Sequence, residues 1–189
     1  KLPGYPNEQT LPYATLLMRN HVPFDVLLDD DILEETAENY DVLVMPVAGT
    51  LTEGMVTQIR KFLDKGGTVI ANEPWRIDLQ GVIVTNYDFS HQRLISGKSP
   101  DKLVTPVEDD EKMTAYALDL AQHLEKVPRP ADANTQKVLT NSLIGGDVTY
   151  HFFINDLRTY GSRFGDYKIR QELGVPQAAE VSVIATEKA

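Results

Sequence analysis

The segment Asn72-Glu73-Pro74-Trp75 combines the side chains best suited to ligand binding. It directly follows an apolar run at residues 68–71, so it is predicted at the carboxyl end of a strand, the edge where parallel sheets bind ligands. The Glu73 carboxylate would accept hydrogen bonds from hydroxyl groups or act as an acid or base. Trp75, the only tryptophan, offers an aromatic face for a sugar ring. The structural alternative is that Pro74 turns the chain and Trp75 packs beneath a loop.

Asp30 and Asp88 are further candidate ligand-binding carboxylates, which could converge with Glu73 at one sheet edge, although the sequence does not give their separation. Paired carboxylates are the catalytic groups of most glycoside hydrolases. This pattern gives a competing hypothesis, in which the chain is a small carboxylate-dependent hydrolase acting around Glu73. Residues 29–31 are three consecutive aspartates, and a helix N-terminus explains them as well, because negative charge there meets the positive end of the helix dipole. No catalytic residue is assigned from the sequence.

Several common types of site have no support in the sequence. The chain contains no cysteine, which excludes disulfides, thiolate metal sites and cysteine nucleophiles. We expect neither a metal nor a cofactor, because the histidines lack a His-x-x-x-His spacing and no complete phosphate-binding loop is present. Ser90-His91 is the only neighbouring serine–histidine pair, and no Gly-x-Ser-x-Gly nucleophile motif accompanies it.

The charge of the chain limits its partners. The net charge is −10 and the acidic residues are spread along the sequence, so neither a nucleic acid nor an anionic membrane surface is expected to bind. No apolar run approaches the roughly 20 residues that span a bilayer. A local cluster of basic and aromatic residues at positions 158–170 is the exception, and either a solvated loop or a binding surface explains it.

Helices and strands alternate over the first two thirds of the chain, and they must position these groups. Apolar periodicity indicates the helices and strands, and two capping boxes, Thr50 with Glu53 and Thr105 with Glu108, indicate where two of the helices begin. Helices are predicted at residues 11–20, 29–39, 51–65 and 106–126, and strands at residues 24–28, 41–46, 68–71 and 82–84. This alternation predicts right-handed βαβ units and an α/β fold with a parallel sheet flanked by helices.

The last third of the chain has a different pattern. Residues 128–136 are predicted as a linker between an α/β domain at residues 1–127 and an antiparallel β segment at residues 137–189. Gly145-Gly146-Asp147 is predicted as a hairpin turn between two apolar runs. Since a lone hairpin with one more strand is marginally stable, we expect the segment to belong to a larger sheet or to pack against the α/β part.

Three stretches carry a resemblance to a known family: residues 22–27 (Val-Pro-Phe-Asp-Val-Leu), 40–46 (Tyr-Asp-Val-Leu-Val-Met-Pro) and 62–69 (Phe-Leu-Asp-Lys-Gly-Gly-Thr-Val). They resemble the glutamine-amidotransferase-like, flavodoxin-like domain that is attached to many glycoside hydrolases and is called the trimerisation domain in β-galactosidases. Residues 148–156 resemble the strand that opens the β-sandwich following such domains.

The resemblance implies a flavodoxin-like sheet and a non-catalytic structural, assembly or carbohydrate-site-shaping module of a larger glycoside hydrolase-like protein. Amidotransferase activity is not carried over, because the family's cysteine nucleophile is missing. The implied partners are the rest of a parent chain, further copies in a trimer or dimer, and a carbohydrate. A secreted or periplasmic location is implied in the same way. The chain starts at Lys1 without methionine, so we expect a fragment.

Overall fold

The computed structural model describes residues 7–46, 50–89, 106–159 and 173–184. Its helices are α1 (Asn7–Arg19), α2 (Asp29–Leu33), α3 (Glu53–Asp64) and α4 (Pro106–Ala121), and a 3₁₀ turn covers Thr36–Asn39. Its strands are β1 (Val42–Met45), β2 (Thr68–Asn72), β3 (Val82–Thr85), β4 (Ala131–Ala133), β5 (Val138–Gly145), β6 (Val148–Asn155), β7 (Arg158–Thr159), β8 (Leu173–Gly174) and β9 (Val181–Val183). Helices are thus combined with parallel and antiparallel strands, as predicted.

Strands β1, β2 and β3 form a parallel sheet in that order. Val44 pairs with Ile70, and Ile70 pairs with Ile83, so these three side chains lie on one face of the sheet. Leu43 and Val69 are neighbours on the opposite face. Both faces are covered, which explains why the strand sequences are continuously apolar rather than alternating.

Two apolar clusters cover the sheet, one on each face. The first joins Ile70 to helices α1 and α4, with Tyr13, Leu16 and Leu120 nearly inaccessible to solvent. The second joins Val69 to helices α2 and α3. The apolar stripes predicted for α3 and α4 are confirmed. Their buried residues are Met55, Ile59 and Phe62 in α3, and Met113, Ala117 and Leu120 in α4.

Helix α3 begins one residue after its N-cap, which is Thr52. The Thr52 hydroxyl accepts a hydrogen bond from the Met55 N–H, so the predicted cap at Thr50 is wrong by two residues. The helix ends as predicted at the glycine pair. Gly66 has a φ of 93°, a left-handed conformation that glycine adopts without strain.

The strand predicted at residues 24–28 is not formed. No described residue pairs with this segment, and Phe24, Val26 and Leu28 expose 39, 69 and 70% of their surface. An apolar run becomes a strand only where a neighbour satisfies its backbone groups, and β1 provides no such pairing here. The helix predicted at residues 29–39 is divided into α2 and the 3₁₀ turn.

The antiparallel prediction for the last third is confirmed. Strands β5 and β6 form a hairpin closed by Gly146 and Asp147, β4 pairs with β9, and β7 pairs with β8. Gly146 has a φ of 61°, which suits the first central position of a tight hairpin turn. Strand β4 lies inside the predicted linker at residues 128–136, so part of that stretch is regular structure. The division into domains stays a prediction.

Candidate functional site

Asn72, the last residue of β2, is held on every side by the fold. Its side-chain amide donates to the Tyr87 carbonyl at 2.9 Å, and its Oδ1 accepts from the Tyr87 N–H at 2.9 Å and from the Thr85 hydroxyl at 3.0 Å. The residue is 3% exposed. It therefore ties β2 to the chain that follows β3, and its polar atoms serve the fold rather than a ligand.

Glu73 and Trp75 form a local turn. The Trp75 N–H donates to Oε2 of Glu73 at 3.0 Å, across the Glu73–Pro74 bond, which is cis. Glu73 is exposed, whereas the Trp75 side chain is half-buried and packs against the cluster formed with α2 and α3. This geometry agrees with the structural alternative, in which Pro74 turns the chain and Trp75 packs beneath it.

The other two predicted carboxylates are exposed and lie on different elements. Asp30 is in the first turn of α2, where its charge faces the positive end of the helix dipole. Asp88 lies shortly after β3, and its N–H donates to the Tyr116 hydroxyl at 3.2 Å. Asp88 thus shares the carboxyl edge of the sheet with Asn72 and Glu73, while Asp30 belongs to the helical layer that covers α3.

Four aromatic rings fill the space behind this edge, on the face covered by α1 and α4. Tyr87 stacks on Tyr116 with ring centres 4.6 Å apart, Phe89 packs edge-to-face against both of them, and Tyr13 contacts Tyr87 and Phe89. Burial raises the pKa of the Tyr13 and Tyr87 hydroxyls, and the hydrogen bond from Tyr87 to Asp119 raises the pKa of Tyr87 further. Both phenols stay protonated and act as structural hydrogen-bonding groups.

A cleft of about 270 Å³ lies at the opposite end of the sheet, where β1 and β2 begin. Its charged walls are Lys65, which is paired with Glu38, together with Asp41 and Lys126, and His123 also lines it. The predicted ligand-binding residues do not line it. Its mixed charges give no preference for a single class of ligand.

The described residues contain no group of three or more histidine, aspartate or glutamate side chains placed to hold a metal ion. None of the described helices has the length and apolar content to cross a bilayer. Ser90-His91 and most of the basic-aromatic cluster at 158–170 lie outside the described residues.

The β5–β6 hairpin exposes a row of large apolar side chains. Residues that are directly opposite in a hairpin share a face, and the register places one apolar set together. We call this set the apolar hairpin face, and it consists of Leu139, Leu143, Val148, Tyr150, Phe152 and Ile154. All but Leu139 are between 45 and 57% exposed. The opposite face meets the rest of the protein at the hairpin base, because Val138 is buried and the Thr140 hydroxyl donates to the Ala131 carbonyl. Near the turn that face is exposed as well, since Ile144 is 82% exposed.

A polar junction joins the hairpin base to the helices, and sequence reasoning missed it. Asp110 of α4 accepts from Arg19 of α1 at 2.6 Å and from Lys137 beside β5 at 2.5 Å. Burial disfavours the charge of Asp110, but the hydrogen bonds from Lys137 and Arg19 outweigh that effect and lower its pKa. His21, in the turn that follows α1, contacts Asp132 at 2.5 Å and the Val138 carbonyl at 2.7 Å.

Comparisons of the chain with protein-family models, with curated proteins and with solved structures found no match. The resemblance to the glycoside hydrolase-associated domain therefore stands on the sequence motifs alone.

Proposed function

We propose that this chain is a non-catalytic structural or assembly module that acts by placing its β5–β6 hairpin against another protein surface. The observation that carries the proposal is the apolar hairpin face. Large contiguous apolar patches are rare on monomeric proteins and mark interaction surfaces. A two-stranded hairpin is also marginal in water, and it gains stability when a further strand or layer covers it.

The energy available at this face is sufficient for association. Full burial of a large apolar side chain stabilises by roughly 1.5–3 kcal/mol. The five most exposed members are about half exposed, so covering them would contribute on the order of 5 kcal/mol before the cost of association is subtracted. The hairpin strands carry no lysine, arginine or acidic residue, so covering them buries no formal charge of those types.

The finer parts of the proposal follow the sequence resemblance. We propose a flavodoxin-like arrangement for the parallel sheet, which the helical layers on both of its faces support. The motifs at residues 22–27, 40–46 and 62–69 support four further parts of the proposal. These are a larger glycoside hydrolase-like parent protein, a trimeric or dimeric assembly, a shaping role beside a carbohydrate site, and a secreted or periplasmic location.

The competing hydrolase around Glu73 is not favoured by the geometry. Glu73 accepts the Trp75 N–H, and the Asn72 side chain is bonded to Tyr87. An inverting or retaining glycosidase needs two carboxyl groups held at a defined separation across the substrate. Asp88 and Glu73 share the sheet edge, but both are exposed, and the cleft described above lies at the other end of the sheet.

Solution mass and activity together test the proposal. Static light scattering over a concentration series should give a mass above the 21.1 kDa of one chain, and the protein should release no chromophore from aryl glycosides. A strictly monomeric chain would contradict the assembly role. Glycoside turnover that Glu73→Gln abolishes would establish the hydrolase instead.

A further inference from the structure

Strand β6 has an outer edge whose backbone groups have no partner among the residues that the structure describes. In a hairpin closed by two residues, the pair that flanks the turn exchanges both backbone hydrogen bonds, and bonded and non-bonded pairs then alternate. Gly145 and Val148 flank this turn, so His151, opposite Ser142, belongs to a non-bonded pair. The N–H and C=O groups of Thr149, His151 and Phe153 therefore point away from β5. Within the described chain, β6 pairs with β5 and with no other strand.

This edge lacks the features that keep exposed strands apart. Proteins block such edges with lysine, proline, inward-pointing charges, bulges or very short strands. Strand β6 is eight residues long and contains no proline and no acidic residue, lysine or arginine. Strand β5 differs, because it packs beside β4 and α1. The outward side of the hairpin is therefore the β6 edge.

The sequence of β6 is symmetric in its apolar pattern. Val148, Tyr150, Phe152 and Ile154 lie at equal distances on both sides of His151, and all four belong to the apolar hairpin face. If two β6 strands run antiparallel with His151 opposite His151, Tyr150 of one copy meets Phe152 of the other, and Val148 meets Ile154. These four residues of each copy are then aligned on the same face of the joined sheet.

We propose that β6 pairs with β6 of a second copy about a two-fold axis at His151, which makes one four-stranded antiparallel sheet. This pairing rests on the proposed assembly function and names the partner and the geometry. It places Thr149 of one copy opposite Phe153 of the other and forms about six backbone hydrogen bonds, since each bonded pair exchanges two. The joined apolar face is twice as large as that of one hairpin and is the surface available to a covering layer.

The chemistry of the pairing is that of an isologous dimer. Two Tyr150–Phe152 cross-strand contacts form, and aromatic cross-strand pairs stabilise antiparallel sheets. The net charge of −10 on each copy opposes association, but within residues 138–155 the only acidic side chain is Asp147, at the turn. We therefore expect added salt to strengthen the dimer by screening the remaining charge.

Two proline variants of the full chain test the pairing. His151→Pro removes an outward N–H at the centre of the proposed interface without removing a hydrogen bond of the hairpin ladder. Ser142→Pro is the matched control, because Ser142 is the hairpin partner of His151, its side chain contacts His151 at 2.8 Å, and its own N–H points to the other edge. Sedimentation velocity should show a dimer for the wild type and for Ser142→Pro. Dimerisation of His151→Pro should be at least about tenfold weaker, a change of 1.4 kcal/mol.

A charge exchange tests the register independently of proline. The variant with Thr149→Lys and Phe153→Lys should be monomeric, and so should the variant with Thr149→Glu and Phe153→Glu, because like charges face each other across the axis. An equimolar mixture of the two should form a 1:1 mixed dimer.

Each result decides the proposal. A wild-type dimer that His151→Pro breaks and Ser142→Pro leaves intact supports the pairing. Oligomers that survive both substitutions overturn it and leave the assembly function standing. If both proline variants are monomeric, formation of the mixed lysine–glutamate dimer supports the pairing and its absence overturns it. A monomeric wild type overturns both the pairing and the assembly function.

Discussion

The side chain of Asn72 works as a cross-link between β2 and the residues after β3. Its amide group and carbonyl oxygen both meet the backbone of Tyr87, so its three hydrogen bonds replace those that water would make. A buried amide with all of its partners in place stabilises the fold, and removing it leaves those partners unsatisfied. This accounts for the polar residue at the end of an otherwise apolar strand.

We predict that Asn72→Ala lowers the free energy of unfolding by about 2–3 kcal/mol, because the N–H and C=O of Tyr87 lose their partner inside the protein. Glu73→Gln should change it by less than about 0.5 kcal/mol, since Glu73 is exposed and glutamine also accepts a hydrogen bond. Urea unfolding followed by Trp75 fluorescence measures both. A neutral Asn72→Ala would show instead that the amide is dispensable to the fold.

Asp110 makes the stability of the junction depend on pH. Its pKa in the folded protein is lowered from the usual 3.8, so the ionised form stabilises the fold above that value. This stabilisation is lost as the pH falls through the folded pKa, below 3.8.

At pH 7, Asp110→Asn should therefore cost about 2 kcal/mol, because Arg19 and Lys137 lose a charged acceptor. The difference from the wild type should shrink when unfolding is measured at progressively lower pH. Asp78→Asn, at an exposed carboxylate, is the control and should show no such trend. An Asp110→Asn deficit that stays constant down to the acid limit would argue against the ionised junction.

At the scale of elements, the period of apolar residues predicts the helices and strands that bury a defined face against a neighbouring layer. Helices α3 and α4 and strands β1 and β2 were predictable because their apolar residues follow one period and face one layer. Helical spacing predicts an apolar stripe of Leu11, Ala14, Leu17 and Met18 for α1. This is only partly correct, because Leu17 is buried whereas Leu11 and Met18 are exposed. The segment at 24–28 has the composition of a strand but pairs with no strand in the described part of the chain. Composition alone does not show whether a pairing partner is present.

Alanine substitutions of Thr50 and Thr52 test which of the two threonines is the N-cap of α3. Thr52→Ala should destabilise the protein by about 1 kcal/mol, because the hydroxyl that accepts the Met55 N–H is lost. Thr50→Ala should have an effect within about 0.5 kcal/mol. Thermal or urea unfolding of the two variants gives the comparison. A larger loss of stability for Thr50→Ala than for Thr52→Ala would show that Thr50 is the N-cap, as the sequence suggests.

Across the whole molecule, the polar junction links the helices to the hairpin base. His21 has a φ of 58°, an uncommon conformation outside glycine, and its ring reaches both Asp132 and Val138. These partners are more than 100 residues away in sequence, so no spacing rule could have indicated them. The exposed surface of the hairpin was equally hidden from sequence reasoning, because the same residues would suit a buried strand.

We predict that the helices and the hairpin unfold together in the wild type. Trp75 fluorescence and amide hydrogen exchange in β5 and β6 should report the same transition, since the junction couples them. His21→Ala should lower the free energy of unfolding by about 2–3 kcal/mol and separate the two transitions. His123→Ala, at a half-buried histidine in the cleft wall, should leave them coincident. Transitions already separate in the wild type would mean that the junction does not couple the two parts.

The central claim is that the apolar hairpin face makes the chain an assembly module. The most direct measurement is the light-scattering mass of Phe152→Lys beside that of Ile144→Lys and the wild type. Phe152 lies on the apolar hairpin face, whereas Ile144 lies on the opposite face of β5, outside the proposed β6 pairing, and is 82% exposed. We predict that the wild type and Ile144→Lys are oligomeric and that Phe152→Lys is monomeric at the same concentration. Equal masses for all three proteins would contradict the claim.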